Sequence, residues 1–173
     1  MERTLKTLQE LQNQGFYSRW AISGAMALNM YIDPVFTEDL DVTIQLPPSS
    51  GLIVTLAPIF SELASRGFDK IDGDHVDIAG VSVQFLAFAP GSLEDDAMRE
   101  ARSLTLFGVQ AFVFPLEHLL AIMIQVGRSK DKQRLASIIE DYSERVDWDC
   151  FHSLLDKHGL AEKFNRFKRT LDA

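Results

Sequence analysis

Between Asp39 and Leu46 the chain alternates strictly: Leu40, Val42, Ile44 and Leu46 fall on one side of an extended backbone, and Asp39, Asp41, Thr43 and Gln45 on the other. A period of two predicts a strand with one face in the core. Upstream the period changes. Leu5, Leu8 and Leu11 recur at spacings of three, which predicts a helix from Thr4 to Gln14, closed by Gly15. Tyr17 to Ile22 reads as a strand that runs into Ser23-Gly24-Ala25, and Met26 to Tyr31, rich in Ala, Met and Leu, as a short helix before Pro34. After Leu46, Pro47 to Gly51 stops the strand and starts a helix that runs to about Arg66. Two further strands are predicted at His75 to Ile78 and Val81 to Phe88, joined by a turn at Ala79-Gly80.

The second half is mainly helical. Ser92 with Asp95 has the form of a capping box and predicts a helix to about Arg102. One last strand, Val109 to Phe114, follows Gly108. Pro115 and Glu117 then suit the first turn of a buried helix that ends at Gly127. Further helices are predicted from Ser129 or Lys130 to about Arg145, over Asp147 to Lys157, and over Leu160 to Leu171, with Gly159 as the break. The expected fold is α/β (α+β): a small mixed sheet with flanking helices over residues 1–114, and a C-terminal helical region over 115–173 packed on it or forming one domain with it.

Composition narrows the function classes. The 173 residues are 46% hydrophobic and 24% charged, ordinary for a globular chain and wrong for disorder. Lys and Arg total 17 against 25 Asp and Glu, a net charge of -8, which argues against a general binder of nucleic acid or anionic membrane. Cys150 is the only cysteine, so neither an intramolecular disulfide nor a cysteine-based zinc site can form. No stretch reaches the ~18 apolar residues of a membrane span, and Met1 to Lys6 lacks the apolar run of a signal peptide. The expectation is a cytoplasmic protein without a membrane partner.

Two constellations carry chemistry. Ser23-Gly24-Ala25 sits at a strand-to-helix junction, where free N–H groups and the helix dipole favour a phosphate and Gly24 permits close approach. A tight turn with Ser23 as N-cap accounts for the same residues. Asp39 and Asp41, two apart on a strand, project to the same side. A divalent cation would relieve their repulsion, and oxygen ligands select Mg²⁺ or Mn²⁺; a solvated strand edge is the alternative.

Together these segments resemble the nucleotidyltransferase superfamily of the polymerase-beta type: Ile22-Ser23-Gly24-Ala25, thirteen intervening residues, then Asp39-Leu40-Asp41-Val42. Trp20 to Leu28, followed by Thr37-Glu38-Asp39-Leu40-Asp41, looks more narrowly like the bacterial AbiEii-like and related minimal members. These tend to continue with an apolar helix and an Arg-x-Lys-Asp segment, here Pro115 to Ala121 and Arg128-Ser129-Lys130-Asp131. The resemblance spans roughly residues 16 to 140. It implies a nucleotidyltransferase-type sheet and transfer of a nucleoside monophosphate from an NTP to an acceptor, which may be nucleic acid, protein or small molecule. Asp39 and Asp41 would be catalytic and hold Mg²⁺ (or Mn²⁺), and Ser23, Gly24, Ala25 and Lys130 would bind the nucleotide.

The chain departs from the pattern at three places. Ala25 stands where Gly or Ser is usual, no Arg precedes Thr37, and the position expected for a third carboxylate on a neighbouring strand is Gln84. Asp77 could replace it under a different strand register. Gln84 favours a second implied function, a catalytically silent binding module or a toxin–antitoxin component with a partner protein; a metal phosphohydrolase built on the same Asp pair ranks third. Arg128, Lys130, Lys132 and Arg134 form the one basic run of an acidic chain. It reads either as a triphosphate cradle or as a solvated first turn in which Asp131 pairs with a neighbour. His75, His118, His152 and His158 show no ligand spacing with carboxylates, and Cys150 lacks the context of a nucleophile.

Overall fold

The computed structural model describes residues 1–34, 36–47 and 55–171. Seven strands form one mixed sheet: β1 (Arg19–Ile22), β2 (Asp39–Gln45), β3 (Ile71–Asp72), β4 (His75–Ile78), β5 (Val81–Ala87), β6 (Arg102–Leu106) and β7 (Val109–Val113), in the order β3-β4-β5-β2-β1-β7-β6. The helices are α1 (Glu2–Asn13), α2 (Gly24–Leu28), α3 (Ala57–Ser65), α4 (Leu93–Arg99), α5 (Leu116–Val126), α6 (Ser129–Asp141), α7 (Trp148–Lys157) and α8 (Ala161–Leu171), with one 3-10 turn at Ser143–Arg145. The α/β class expected from the sequence is the one observed. No described helix is long and apolar enough to cross a membrane.

The strict alternation predicted for β2 is what places it second from the sheet centre. Leu40, Val42 and Ile44 are fully buried, while Asp39 and Asp41 stay partly accessible on the opposite face. β2 pairs with β1 antiparallel (Ile22 opposite Val42) and with β5 parallel (Asp41 opposite Gln84). α1 lies against the sheet through Leu5, Leu8 and Leu11. It is anchored by Tyr17, whose hydroxyl donates to the Leu8 carbonyl at 2.7 Å, and by Thr4, whose hydroxyl donates to the Ile78 carbonyl at 2.9 Å. α5 is the hub of the helical half, touching α2, α4, α6, α7 and α8. Its apolar residues join the same buried cluster as those of the strands.

Several boundaries differ from those expected. The helix expected to reach Arg102 stops at Arg99, and Arg102–Leu106 becomes the edge strand β6. Phe107 and Gly108, both at positive φ (50° and 75°), form a two-residue loop with Leu106 opposite Val109, the hairpin geometry in which the turn twists with its strands. Ser92 does accept from the Asp95 N–H at 3.2 Å, so the start of α4 is capped as expected. Strand β3 has no counterpart in the sequence reading. The helix expected to begin after Pro47 falls partly on residues 48–54, outside the described ones, and is helical from Ala57. The helix expected to run to Arg145 ends at Asp141, and the 3-10 turn follows.

Candidate functional site

Because β1 and β2 are antiparallel with Ile22 opposite Val42, the chain leaving β1 passes directly over Asp41. The Ser23 N–H donates to the Asp41 carbonyl at 2.9 Å. Gly24 follows at φ +57°, and a Cβ built there would overlap the Asp41 carboxylate, lying 2.7 Å from Cγ and 3.0 Å from Cβ. Glycine is therefore required twice, by the left-handed backbone and by the absence of room. The Ser23 hydroxyl does not cap α2. It donates to the Asp41 carbonyl at 3.3 Å and accepts from the Thr43 hydroxyl at 2.9 Å, and Ser23 is only 4% exposed. Ser23 thus seals the β1–β2 junction, and its own N–H and hydroxyl are already engaged. Ala25 turns its methyl into the core. What remains open to a ligand at this turn is the α2 backbone, whose first N–H groups have no carbonyl one turn earlier.

Asp39 and Asp41 share the accessible face of β2. Burial raises the Asp41 carboxyl above its ordinary range, and the charge of Asp39 raises it further. Arg128, Lys130 and His75 pull it back, so two cations at the start of α6 face a carboxylate some ninety residues earlier in the chain. The two are not equivalent. Arg128 donates to Asp131 through Nε at 2.7 Å and through a terminal nitrogen at 3.3 Å, and Asp131 is buried. This is the local pairing that the sequence allowed. Lys130 is exposed and makes no ion pair with a described residue. Lys132 points elsewhere, toward Gly127, Lys163 and Phe167 in the cleft between α5, α6 and α8.

The sheet register decides which residues neighbour the pair. Asp41, Gln84 and His75 lie in one row across β2, β5 and β4, and Asp39, Ser82 and Asp77 in the next. Gln84 is therefore the immediate neighbour of Asp41. Asp77 stands two strands from Asp39, about 10 Å away at ordinary strand spacing, and its carboxylate accepts the Gly80 N–H at 2.6 Å to close the β4–β5 turn. The alternative register under which Asp77 would join the pair is not the observed one.

Sequence reasoning passed over His75. Its Nε2 lies 3.8 Å from Asp39 Oδ2, and its Nδ1 lies 2.9 Å from Asp74 Oδ1. The other Asp74 oxygen accepts the Gln84 side-chain amide, and that bond is the main cause of a lowered Asp74 carboxyl. The only signal in the sequence was the Asp74-His75 doublet at the start of a strand. Nothing local says that β4 folds back beside β5. Among the described residues, no three His, Cys, Asp or Glu side chains are already closed around a common point.

No family model matches the chain, and neither does any curated protein. Among solved structures, an antigenic nucleotidyltransferase-like protein from Paracoccidioides brasiliensis matches 94% of this chain and 92% of its own length, at 16% identity and a TM-score of 0.49.

Outside this face the ionisable groups have structural roles. Asp96 is 3% exposed and joins α4 to the end of α7: Lys157 Nζ lies 2.5 Å and His158 Nε2 2.8 Å from its Oδ2, and Arg99 contacts its other oxygen. Burial pushes its carboxyl up, but the bonds from Lys157 and His158 outweigh this and hold it down at about 2. His118 on α5 is fully buried, and neither ring nitrogen has a hydrogen-bond partner.

Proposed function

We propose that this chain binds a nucleoside triphosphate with a divalent cation at Asp39 and Asp41 and transfers the nucleoside monophosphate to an acceptor hydroxyl. The observation that carries the reading is the convergence of three segments far apart in sequence: the Gly24 turn, the Asp39–Asp41 pair beneath it, and the free Lys130 charge facing Asp41. The resemblance to minimal nucleotidyltransferases over residues 16 to 140 supports the same reading. The donor set suits Mg²⁺ or Mn²⁺, since two carboxylates share one face and one of them carries the strain of burial and like charge. Bound there, the ion would orient the triphosphate and neutralise charge on the leaving pyrophosphate. Lys130 would pair with a phosphate oxygen, and the Gly24 and Ala25 backbone would approach the phosphates without side-chain interference. In the transfer the acceptor oxygen bonds to the α-phosphorus, the bond from that phosphorus to the β-phosphate breaks, pyrophosphate leaves, and the hydroxyl proton passes to solvent.

The register favours one alternative. Gln84 beside Asp41 supplies no carboxylate to accept that proton, and the loss of a general base costs about 10²–10⁴ in rate. This supports a second reading, a nucleotide-binding module or toxin–antitoxin component of the AbiEii-like kind that transfers slowly or not at all. Incubation with α-labelled NTPs, Mg²⁺ or Mn²⁺ and a mixed acceptor pool separates the readings. Label transfer that is lost in Asp41→Asn supports the enzyme. Cation-dependent NTP binding without transfer supports the module. Absence of NTP binding overturns both.

A further inference from the structure

The row of side chains opposite the Asp pair has its own order. One carboxylate, Asp74 at the tip of the β3–β4 hairpin, contacts both side chains of that row: one oxygen lies against His75 Nδ1 at 2.9 Å and the other accepts the Gln84 amide. A carboxylate has only acceptor atoms, so His75 must present Nδ1–H to Asp74. Nε2 is then the unprotonated nitrogen of the neutral ring, and it is the atom that faces Asp39. A histidine held by a carboxylate through one nitrogen, with the other nitrogen bare, is the arrangement that orients imidazole as a metal ligand. The distance agrees. Bonds from nitrogen or oxygen to a divalent ion are about 2.0–2.2 Å, and the 3.8 Å between His75 Nε2 and Asp39 Oδ2 is less than two such bonds. One ion can touch both atoms where they stand.

We infer that His75 takes the place of the missing third carboxylate, so that the cation is held by Asp39, Asp41 and the His75 imidazole, with Asp74 as the positioning residue. This rests on the reading that the Asp pair binds a cation. It also changes the metal. Imidazole suits first-row transition ions, whereas Mg²⁺ favours oxygen ligands, so a site with one nitrogen takes an ion such as Mn²⁺ in preference to Mg²⁺. Exchanging a carboxylate for a neutral ligand leaves one less negative charge to balance the ion, consistent with the neutral Gln84 in the same row.

Pulsed electron paramagnetic resonance of the full chain with one equivalent of Mn²⁺ tests this directly, because a nitrogen bound to Mn²⁺ imprints its nuclear modulation on the echo. The expected result is a ¹⁴N modulation that becomes ¹⁵N in protein grown with ¹⁵N-histidine. His75→Ala should abolish it and weaken Mn²⁺ binding about ten- to a hundredfold in calorimetry, and Asp74→Asn should reduce both while leaving the imidazole in place. Mg²⁺ should displace the Mn²⁺ only in large excess. If Mn²⁺ binds in an Asp41-dependent way with no histidine nitrogen coupling, the role of His75 is wrong and the Asp pair stands. If Mn²⁺ binding is absent, or is the same in Asp41→Asn, the underlying cation reading fails as well. Since the nitrogen coupling is read on unmodified protein, misfolding of a variant cannot decide the outcome.

Discussion

Replacing Gly24 by Ala probes the contact on which the candidate site is built. Two costs add. The backbone at φ +57° costs a residue with a Cβ about 1–2 kcal/mol. That cost is tolerable in this protein, since Ala79 and Phe107 sit at φ 56° and 50°. The second cost is steric. The new methyl would overlap the Asp41 carboxylate and crowd its Cγ and Cβ, so rotating the carboxylate alone does not clear it. Asp41 must change rotamer or β2 must shift, which adds about 1–3 kcal/mol. Gly24→Ala should therefore lower stability by about 2–5 kcal/mol. Made on top of Asp41→Ala, which removes the carboxylate and Cγ, the same change should cost only about 1–2 kcal/mol. Urea unfolding of the four proteins of this cycle measures the difference, and Mn²⁺ calorimetry on Gly24→Ala should show binding lost. Equal costs in both backgrounds, with Mn²⁺ binding intact, would refute the packing of Gly24 on Asp41.

Three further predictions follow from the charged and buried groups. Lys130→Ala should weaken NTP binding roughly ten- to a hundredfold, the worth of a charge-assisted phosphate contact, whereas Lys132→Ala, in the α5–α6–α8 cleft, should leave it nearly unchanged; isothermal titration compares them. His118→Leu should stabilise the protein by about 1–3 kcal/mol, because it removes two buried polar atoms without partners. Burial lowers the His118 pKa against the opposing pull of Glu100, Asp96 and Glu117. Below about pH 6.5 the unfolded chain therefore binds a proton that the folded one refuses, and wild-type stability should fall as pH drops from 7 to 5. His118→Leu should flatten that slope in denaturant unfolding. Asp96→Asn should cost about 1–3 kcal/mol at neutral pH, reduced from the value for a fully buried pair because Lys157 and Arg99 are themselves exposed. With a folded pKa of about 2, the Asp96 contribution is complete above the unfolded value near 4 and is lost as pH falls through 2, so wild type and variant should converge in acid.

Local chemistry was enough to determine much of this protein from its sequence. The alternation from Asp39 to Gln45 fixes β2 and puts both carboxylates on its polar face, because side-chain direction in a strand depends only on parity. Gly127, at φ 71°, ends α5 as expected of a C-terminal glycine, and Asp147 caps α7 through the Cys150 N–H at 3.0 Å. What only the tertiary structure decided is which faces meet. Gln84, not Asp77, lies beside Asp41 because β2 and β5 pair in parallel in one particular register, and a slip of one residue would have turned Gln84 to the other face. Ser23 carried the pattern of a phosphate ligand or a helix cap. It became neither, because the Asp41 carbonyl and Thr43 hydroxyl on the facing strand claimed its polar atoms. β6 was hidden because an edge strand buries little and so shows little alternation, and its existence depends on the Phe107-Gly108 turn bringing it back onto β7. His75 gave no signal at all, since its partners Asp39 and Gln84 belong to other strands, and only the folding of the β3–β4 hairpin against β5 sets Asp74 and His75 at the edge of the Asp pair.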